Sequence, residues 1–383
     1  MKRKNTIMKE RIFLSSPTMH DKEMMYIKEA FDTNWVAPLG KNVDGFEEDM
    51  QRYLGEGMYA AALSAGTAAI HLALIIEGIG RDDIVFGSDL TFAATVNPIT
   101  YIGARPVFID SERNTWNMDP EALEKAFEKY PQAKAVISAN LYGTPARLDE
   151  LKSICDRHGV PFIEDAAESL GSKFKGEQTG RFGDIGILSF NGNKIITSSG
   201  GGMLVSKDEE KVKKARFLST QAREKARHYE HKEIGFNYRM SNIVAGIGRG
   251  QMEYLDEHVR LKREIRKRYE EGLADIKEIS FNPFTADSEP NCWLTCITID
   301  RASKVKPLDI MEALEKENIE TRPIWKPMHL QPVYKEADFI KVCDIESVSG
   351  DIFDTGLCLP SDIKNTPEDM DRITGLIRSL FGR

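Results

Sequence analysis

One lysine stands where it could do covalent chemistry. Lys194 lies within SFNGNKIITSSGGG, residues 189–202. A β-favouring run from Asp184 to Phe190 leads into this stretch, and Asn191-Gly192 predicts a tight turn. Ile195 and Ile196 follow, then a small-residue loop from Ser198 to Gly202, then Met203-Leu204-Val205 as the start of another strand. Apolar neighbours desolvate an amine and favour its neutral form. A neutral amine at the end of a strand can attack a carbonyl and form a Schiff base. An ordinary turn lysine fits the same residues, because short motifs match by chance. The rest of the chain must therefore supply what such an amine needs.

Asp165 ends the apolar run in VPFIEDAAES. A carboxylate there is either the N-cap of the segment from Ala166 or a counter-charge for a ligand. In ALSAGTAAIHLALII, Ala61 to Leu63 can end a strand, Ser64, Gly66 and Thr67 supply N-cap chemistry, and Ala68 to Ile76 continue as helix. Such a turn is either a plain capped helix or an anion site made of free N–H groups. His228 and His231 have no third ligand at a useful spacing, so no metal site is read there. Gly246, Gly248 and Gly250 mimic half of a dinucleotide fingerprint. No strand precedes them, which leaves close helix packing as their reading and removes a nicotinamide-dependent oxidoreductase from consideration.

These groups must be positioned by a scaffold, and the chain reads as alternating α/β units. Strands are expected at 84–88, 105–109, 135–140 and 160–166, and helices at 68–76, 91–102, 148–158 and 208–220. That alternation predicts right-handed crossovers and a mostly parallel sheet, with ligands at the carboxyl ends of its strands. Residues 23–33 predict a helix with Met24, Ile27, Ala30 and Phe31 on one face, and 45–54 a second. A long helix is expected over 241–273, capped by Ser241. The strand 293–299, the Pro-rich loop 322–334 and the helices 307–317 and 367–381 then suggest a smaller α+β unit.

The 383 residues carry 41% apolar side chains and a formal charge of −8, which argues against a nucleic-acid binder. The basic N-terminus has no apolar stretch after it and does not read as a signal peptide; no window is long enough for a membrane span. Five dispersed cysteines, Cys155, Cys292, Cys296, Cys343 and Cys358, fit free thiols in the cytoplasm. Cys292 and Cys296 fall in what reads as one strand, roughly 13 Å apart and too far for a disulfide.

SAGTAAIHLAL, LTFAATVNPI, IEDAAESLGS, SFNGNKIITSSGGGM, GFNYRMSNIVAGIG and RPIWKPMHLQ occur in that order. Together they closely resemble the DegT/DnrJ/EryC1/StrS family over roughly Phe13 to Leu380. The resemblance implies an aspartate aminotransferase-type α/β fold and a sugar aminotransferase that uses pyridoxal 5'-phosphate (PLP). It implies a large PLP-binding domain at 1–255 and a small C-terminal α+β domain at 256–383, joined by the helix 241–273. Lys194 matches the lysine that links to the cofactor, and Asp165 the partner of the pyridine nitrogen. Phe92 matches the aromatic wall, and Gly66, Thr67 and Ser189 the phosphate site. Glu168 matches a residue near the phenolic oxygen. Asn237 matches an asparagine given to the neighbouring subunit's phosphate, which implies a homodimer with shared active sites.

Within the family, NGNKIITSSGGGM, QAREKARHYEH, APLG and WKPMHLQ look like the branch that aminates UDP-4-keto-6-deoxy-N-acetylglucosamine at C4, toward diacetylated bacillosamine. Many members carry Gly-Glu-Gly where this chain has Ser198-Ser199-Gly200-Gly201-Gly202, a departure that leans away from dTDP-sugars. Lys194 argues against the dehydrase branch, which has histidine there. The expected reaction moves an amino group from L-glutamate to a nucleotide-linked 4-keto-6-deoxy sugar with ping-pong kinetics. GDP- or dTDP-linked sugars are the alternative substrates, and a PLP-binding regulator without turnover the alternative class. Asn34, Pro38, Leu39, Arg239, Lys326 and His329 are expected near the sugar nucleotide, and no metal is expected.

Overall fold

A computed structural model describes residues 10–342 and 347–383; Cys343 lies outside them. The first elements are α1 (Lys22–Asp32), α2 (Lys41–Leu54), β1 (Tyr59–Leu63), α3 (Gly66–Ile76) and β2 (Ile84–Ser88). A one-turn 3₁₀ helix (Ala93–Thr95) and short α4 (Asn97–Tyr101) follow, where a single helix over 91–102 was expected. Pro98 explains part of the break, since it has no N–H with which to continue the helical bonding to the carbonyl of Ala94. Next come β3 (Arg105–Ile109), α5 (Pro120–Lys129), β4 (Ala135–Ala139), α6 (Leu148–His158) and β5 (Phe162–Asp165). The short β6 (Lys173–Phe174) and β7 (Glu177–Gln178) lead to β8 (Ile185–Ser189), β9 (Gly202–Ser206) and α7 (Glu209–Ser219).

The expected long helix is two helices, α8 (Asn242–Met252) and α9 (Leu255–Gly272), separated at Glu253-Tyr254. Ser241 does cap α8, its Oγ accepting the Val244 N–H at 3.3 Å. The C-terminal part holds β10 (Ile279–Phe281), β11 (Ser288–Glu289), β12 (Thr295–Ile299), α10 (Pro307–Lys316), β13 (Arg322–Pro323), β14 (Asp338–Ile340), α11 (Val348–Thr355), β15 (Gly356–Leu359) and α12 (Pro367–Leu380). Cys292 and Trp293 precede β12 instead of starting it: Cys292 has φ of 55°, which extended backbone excludes.

The main sheet has the order β1-β9-β8-β5-β4-β2-β3-β14, and only β9 runs against the rest. Apart from the edge strand β14 and the start of β3, the strands are buried along almost their whole length, as a sheet covered by helices on both faces requires. Two apolar layers flank it, one built on α3 and α7 and the other on α2, α5 and α6. A second, antiparallel sheet, β10-β12-β15-β13, packs against α9, α10 and α12. The C-terminal part is not separate from the main sheet, because β14 extends it beside β3.

Candidate active site

The carboxyl ends of β1, β2, β4, β5 and β8 face one edge of the main sheet, and a cavity of about 320 Å³ opens there. Lys194 enters it from the turn after β8. The Lys194 N–H bonds Asn191 O at 3.0 Å, the turn that Asn191-Gly192 predicts. Its Nζ lies 3.6 Å from Glu168 Oε1 and 4.3 Å from the centre of the Trp293 ring. The same indole donates through Nε1 to the carbonyl of Asn193 at 2.6 Å. Amine and backbone of the lysine turn are thus held by one side chain.

Asp165, at the end of β5, is buried. Oδ2 accepts the Thr95 hydroxyl at 2.7 Å and Oδ1 the Ala167 N–H at 3.1 Å. Burial pushes its carboxyl up, against the Thr95 bond, the Ala167 bond and the Lys194 charge. The Ala167 bond is a local turn contact; no helix starts at Ala166, so Asp165 is not a helix N-cap, and its second oxygen is turned to Thr95 in the cavity wall. Glu168 is also pushed up by burial, opposed first by Lys194. Its Oε2 accepts the N–H of Tyr142 at 2.7 Å.

In the same cavity lining, α3 begins at Gly66 behind Ala65. No side chain caps it and its first turn holds no acid. Ser64 and Thr67 therefore do not act as the cap that their types suggested, and the first N–H groups remain available to a ligand. Ser189 stands beside this terminus; a Cβ on Gly66 would lie 3.2 Å from the Ser189 Cβ. A Cβ on Gly202 would come within 2.3 Å of the Ala65 carbonyl carbon and Gly66 N, so the glycine run lets β9 pass beneath the helix start. Phe92 lines the cavity with half its surface exposed, its ring 5.6 Å from that of Trp325.

The tertiary structure thus gathers Gly66, Thr67, Phe92, Asp165, Glu168, Ser189 and Lys194 into one wall. Asn237 is exposed and does not line the cavity of its own chain. The expected substrate contacts fare differently. The Arg239 side chain is only 6% exposed, pairs with Glu47, donates to Ala62 O at 3.1 Å and lies outside the cavity lining. His329 is tied to Asp89, with Nδ1 2.7 Å from Oδ2, and stacks on Phe339, so its ring does not face the cavity. Asn34, Pro38, Leu39 and Lys326 are exposed and outside the cavity lining. Trp293, Thr91 and Thr95 were not singled out; LTFAATVNPI holds both threonines, but only the fold turns them toward Asp165.

The sequence profile of the DegT/DnrJ/EryC1/StrS aminotransferase family matches residues 17–378. The chain belongs to this family. It is a PLP-dependent sugar aminotransferase with the α/β fold of that family. The aminotransferase is 51% identical over 378 residues to EpsN of Bacillus subtilis (strain 168), described as a candidate pyridoxal phosphate-dependent aminotransferase, covering 98% of this chain and 97% of that one. It is 34% identical to a GDP-perosamine synthase of Caulobacter vibrioides, covering 97% and 98%. A solved DegT/DnrJ/EryC1/StrS aminotransferase from Brucella abortus superposes with a TM-score of 0.87 at 28% identity, covering 94% and 96%.

The residues present suit PLP. An uncapped helix start beside a serine hydroxyl is a donor set for a phosphate. A buried carboxylate suits a protonated ring nitrogen, a lysine amine suits an aldehyde, and Phe92 offers an aromatic wall. No helix among the described residues is long and apolar enough to cross a membrane.

Proposed function

We propose that this aminotransferase moves the amino group of L-glutamate to C4 of a nucleotide-linked 4-keto-6-deoxy sugar, namely UDP-4-keto-6-deoxy-N-acetylglucosamine, in the cytoplasm. The observation that carries the transamination is the Lys194 amine held between the Glu168 carboxylate and the Trp293 face, in one cavity with buried Asp165. When bound, the cofactor supplies an electron sink for the bond-breaking at the amino carbon. In this reading Asp165 holds a proton at the pyridine nitrogen. Gly66, Thr67 and Ser189 hold the phosphate, and Phe92 fixes the ring plane. Lys194 carries the proton between carbon centres, a general-base role worth roughly 10²–10⁴ in rate. Glu168 faces the Lys194 amine and keeps it directed into the cavity. Order is ping-pong: glutamate leaves as its keto acid before the keto sugar enters.

The UDP reading is supported by the Ser198–Gly202 run and the segments around it. The relative from Caulobacter vibrioides, a GDP-perosamine synthase, favours a second reading with a GDP-linked sugar. Incubation with glutamate and a panel of UDP-, GDP- and dTDP-4-keto-6-deoxy sugars, read by mass, separates them. Exchange of the keto oxygen for an amine in the UDP sugar alone is expected; exchange confined to the GDP sugar selects the second reading.

The working unit in this proposal is a homodimer with shared sites, in which Asn237 serves the partner's phosphate. Its supports are the exposure of Asn237 and an exposed apolar patch around α1, with Met24, Phe31, Trp35 and Leu39 in water on a single chain.

A further inference from the structure

Asp165 is held by more than its own strand. Its Oδ2 is 2.7 Å from Thr95 Oγ1, and Thr95 Oγ1 is 2.7 Å from Thr91 Oγ1. Both threonines are buried and both line the cavity. An ionised carboxylate only accepts, so the Thr95 O–H points to Asp165. The Thr95 oxygen then accepts the Thr91 O–H, and the chain has one polarity: each hydroxyl proton is directed toward the carboxylate. Thr91 and Thr95 bracket Phe92 on a single short segment, so the ring wall and the donor to Asp165 move as one piece.

We propose that Thr95, oriented by Thr91, is a positioning residue that keeps Asp165 ionised and fixed in rotation for the cofactor's ring nitrogen. This builds on the assignment of Asp165 to that nitrogen. Burial alone drives the carboxyl toward its neutral form, which offers no counter-charge to a protonated ring. The opposing groups are the Thr95 hydroxyl on the segment after β2, the Ala167 N–H on its own segment, and Lys194 on the turn after β8. Glu168 is the other acid nearby; its own carboxyl is raised by burial and by Asp165 and opposed by Lys194. Thr95 is the one side-chain hydrogen-bond donor to Asp165 among the described residues.

The test is retention of PLP by the holoenzyme in equilibrium dialysis from pH 5 to 9, with bound cofactor read by absorbance. A hydrogen bond to a charged group is strong enough that losing it moves a titration by about 1–2 pH units. Thr95→Val removes the donor at nearly constant size. The pH below which cofactor is lost should rise by that amount, because Asp165 then needs a higher pH to ionise. Thr95→Ser should restore the wild-type limb, and Thr91→Val should move it part of the way. Thr95→Ala reads the same limb should the valine variant fold poorly. A wild-type limb in both Thr95→Val and Thr95→Ala, alongside loss of cofactor at every pH in Asp165→Asn, overturns the role of Thr95. Wild-type retention in Asp165→Asn overturns the assignment of Asp165 itself, and the inference with it.

Discussion

Lys194 illustrates how much one side chain can be asked to do. Its amine faces Glu168 and the Trp293 ring and lines the cavity, so Lys194→Ala should fold. Borohydride should no longer fix PLP to the chain, and transamination should fall by at least the general-base factor of roughly 10²–10⁴. Peptide mapping after reduction checks the first and steady-state kinetics the second. Lys262 on α9 makes a different prediction. It is fully buried, bonded to Ser15 Oγ at 2.9 Å and Trp293 O at 3.0 Å, and burial lowers it to about 7. Between pH 7 and 10 the unfolded chain keeps a proton that the folded chain has released. Stability should therefore rise with pH across that window by up to about 1.4 kcal/mol per unit, and be lost as pH falls toward 7. Urea unfolding of wild type and Lys262→Met at pH 7, 8 and 9 reads the difference. The slope should be absent from the methionine variant.

Helix α8 shows why a glycine series was legible while the element around it was not. A Cβ on Gly250 would lie 2.6 Å from Glu23 N and 2.8 Å from Glu23 Cα, both backbone of α1. One on Gly248 would meet the Phe46 ring at 2.7 Å. The packing reading of these glycines is correct, and Gly250→Ala should destabilise by about 1–3 kcal/mol because helix backbone cannot yield as a side chain does. Gly375, inside α12, has nothing within 4 Å of its Cβ position. Gly375→Ala should stabilise by about 0.5–1 kcal/mol. Opposite signs in urea midpoints check the pair. The break at Glu253-Tyr254 was not readable, since no Pro or Gly marks it. Tyr254 stacks on His20, ring centres 3.7 Å apart, a partner more than two hundred positions away.

At the scale of the molecule, one chain leaves α1 oddly placed. Met24, Ile27, Ala30 and Phe31 do not form one buried face: Met24 and Phe31 are each more than 60% exposed, while Ala30 is buried with Glu23. Asn237 lies outside its own cavity. Both observations fit two copies that complete each other's sites. Asn237→Ala should then weaken PLP retention. Mixing Asn237→Ala with Lys194→Ala chains should give heterodimers in which one site has both residues intact. Activity that recovers after re-equilibration of the mixture supports shared sites; none argues that each chain builds its own.

The parts of this protein that depend on local order were determined by the sequence alone. The strand and turn around Lys194, the strand ending at Asp165 and the helix at 148–158 follow from period, turn chemistry and short-range caps, which neighbours in the chain decide. The family follows from six segments in order. What the fold decided is which charges are free. Arg239 and His329 carry nitrogen donors near the right motifs, but Glu47 and Asp89 reach them from elements far away in the chain and hold Arg239 Nη1 and His329 Nδ1 on carboxylates outside the cavity lining. Trp293 comes to Lys194, and Thr95 to Asp165, from shorter but still non-local distances in sequence. No local pattern encodes such pairs, because they exist only once the sheet has brought its strand ends to one edge.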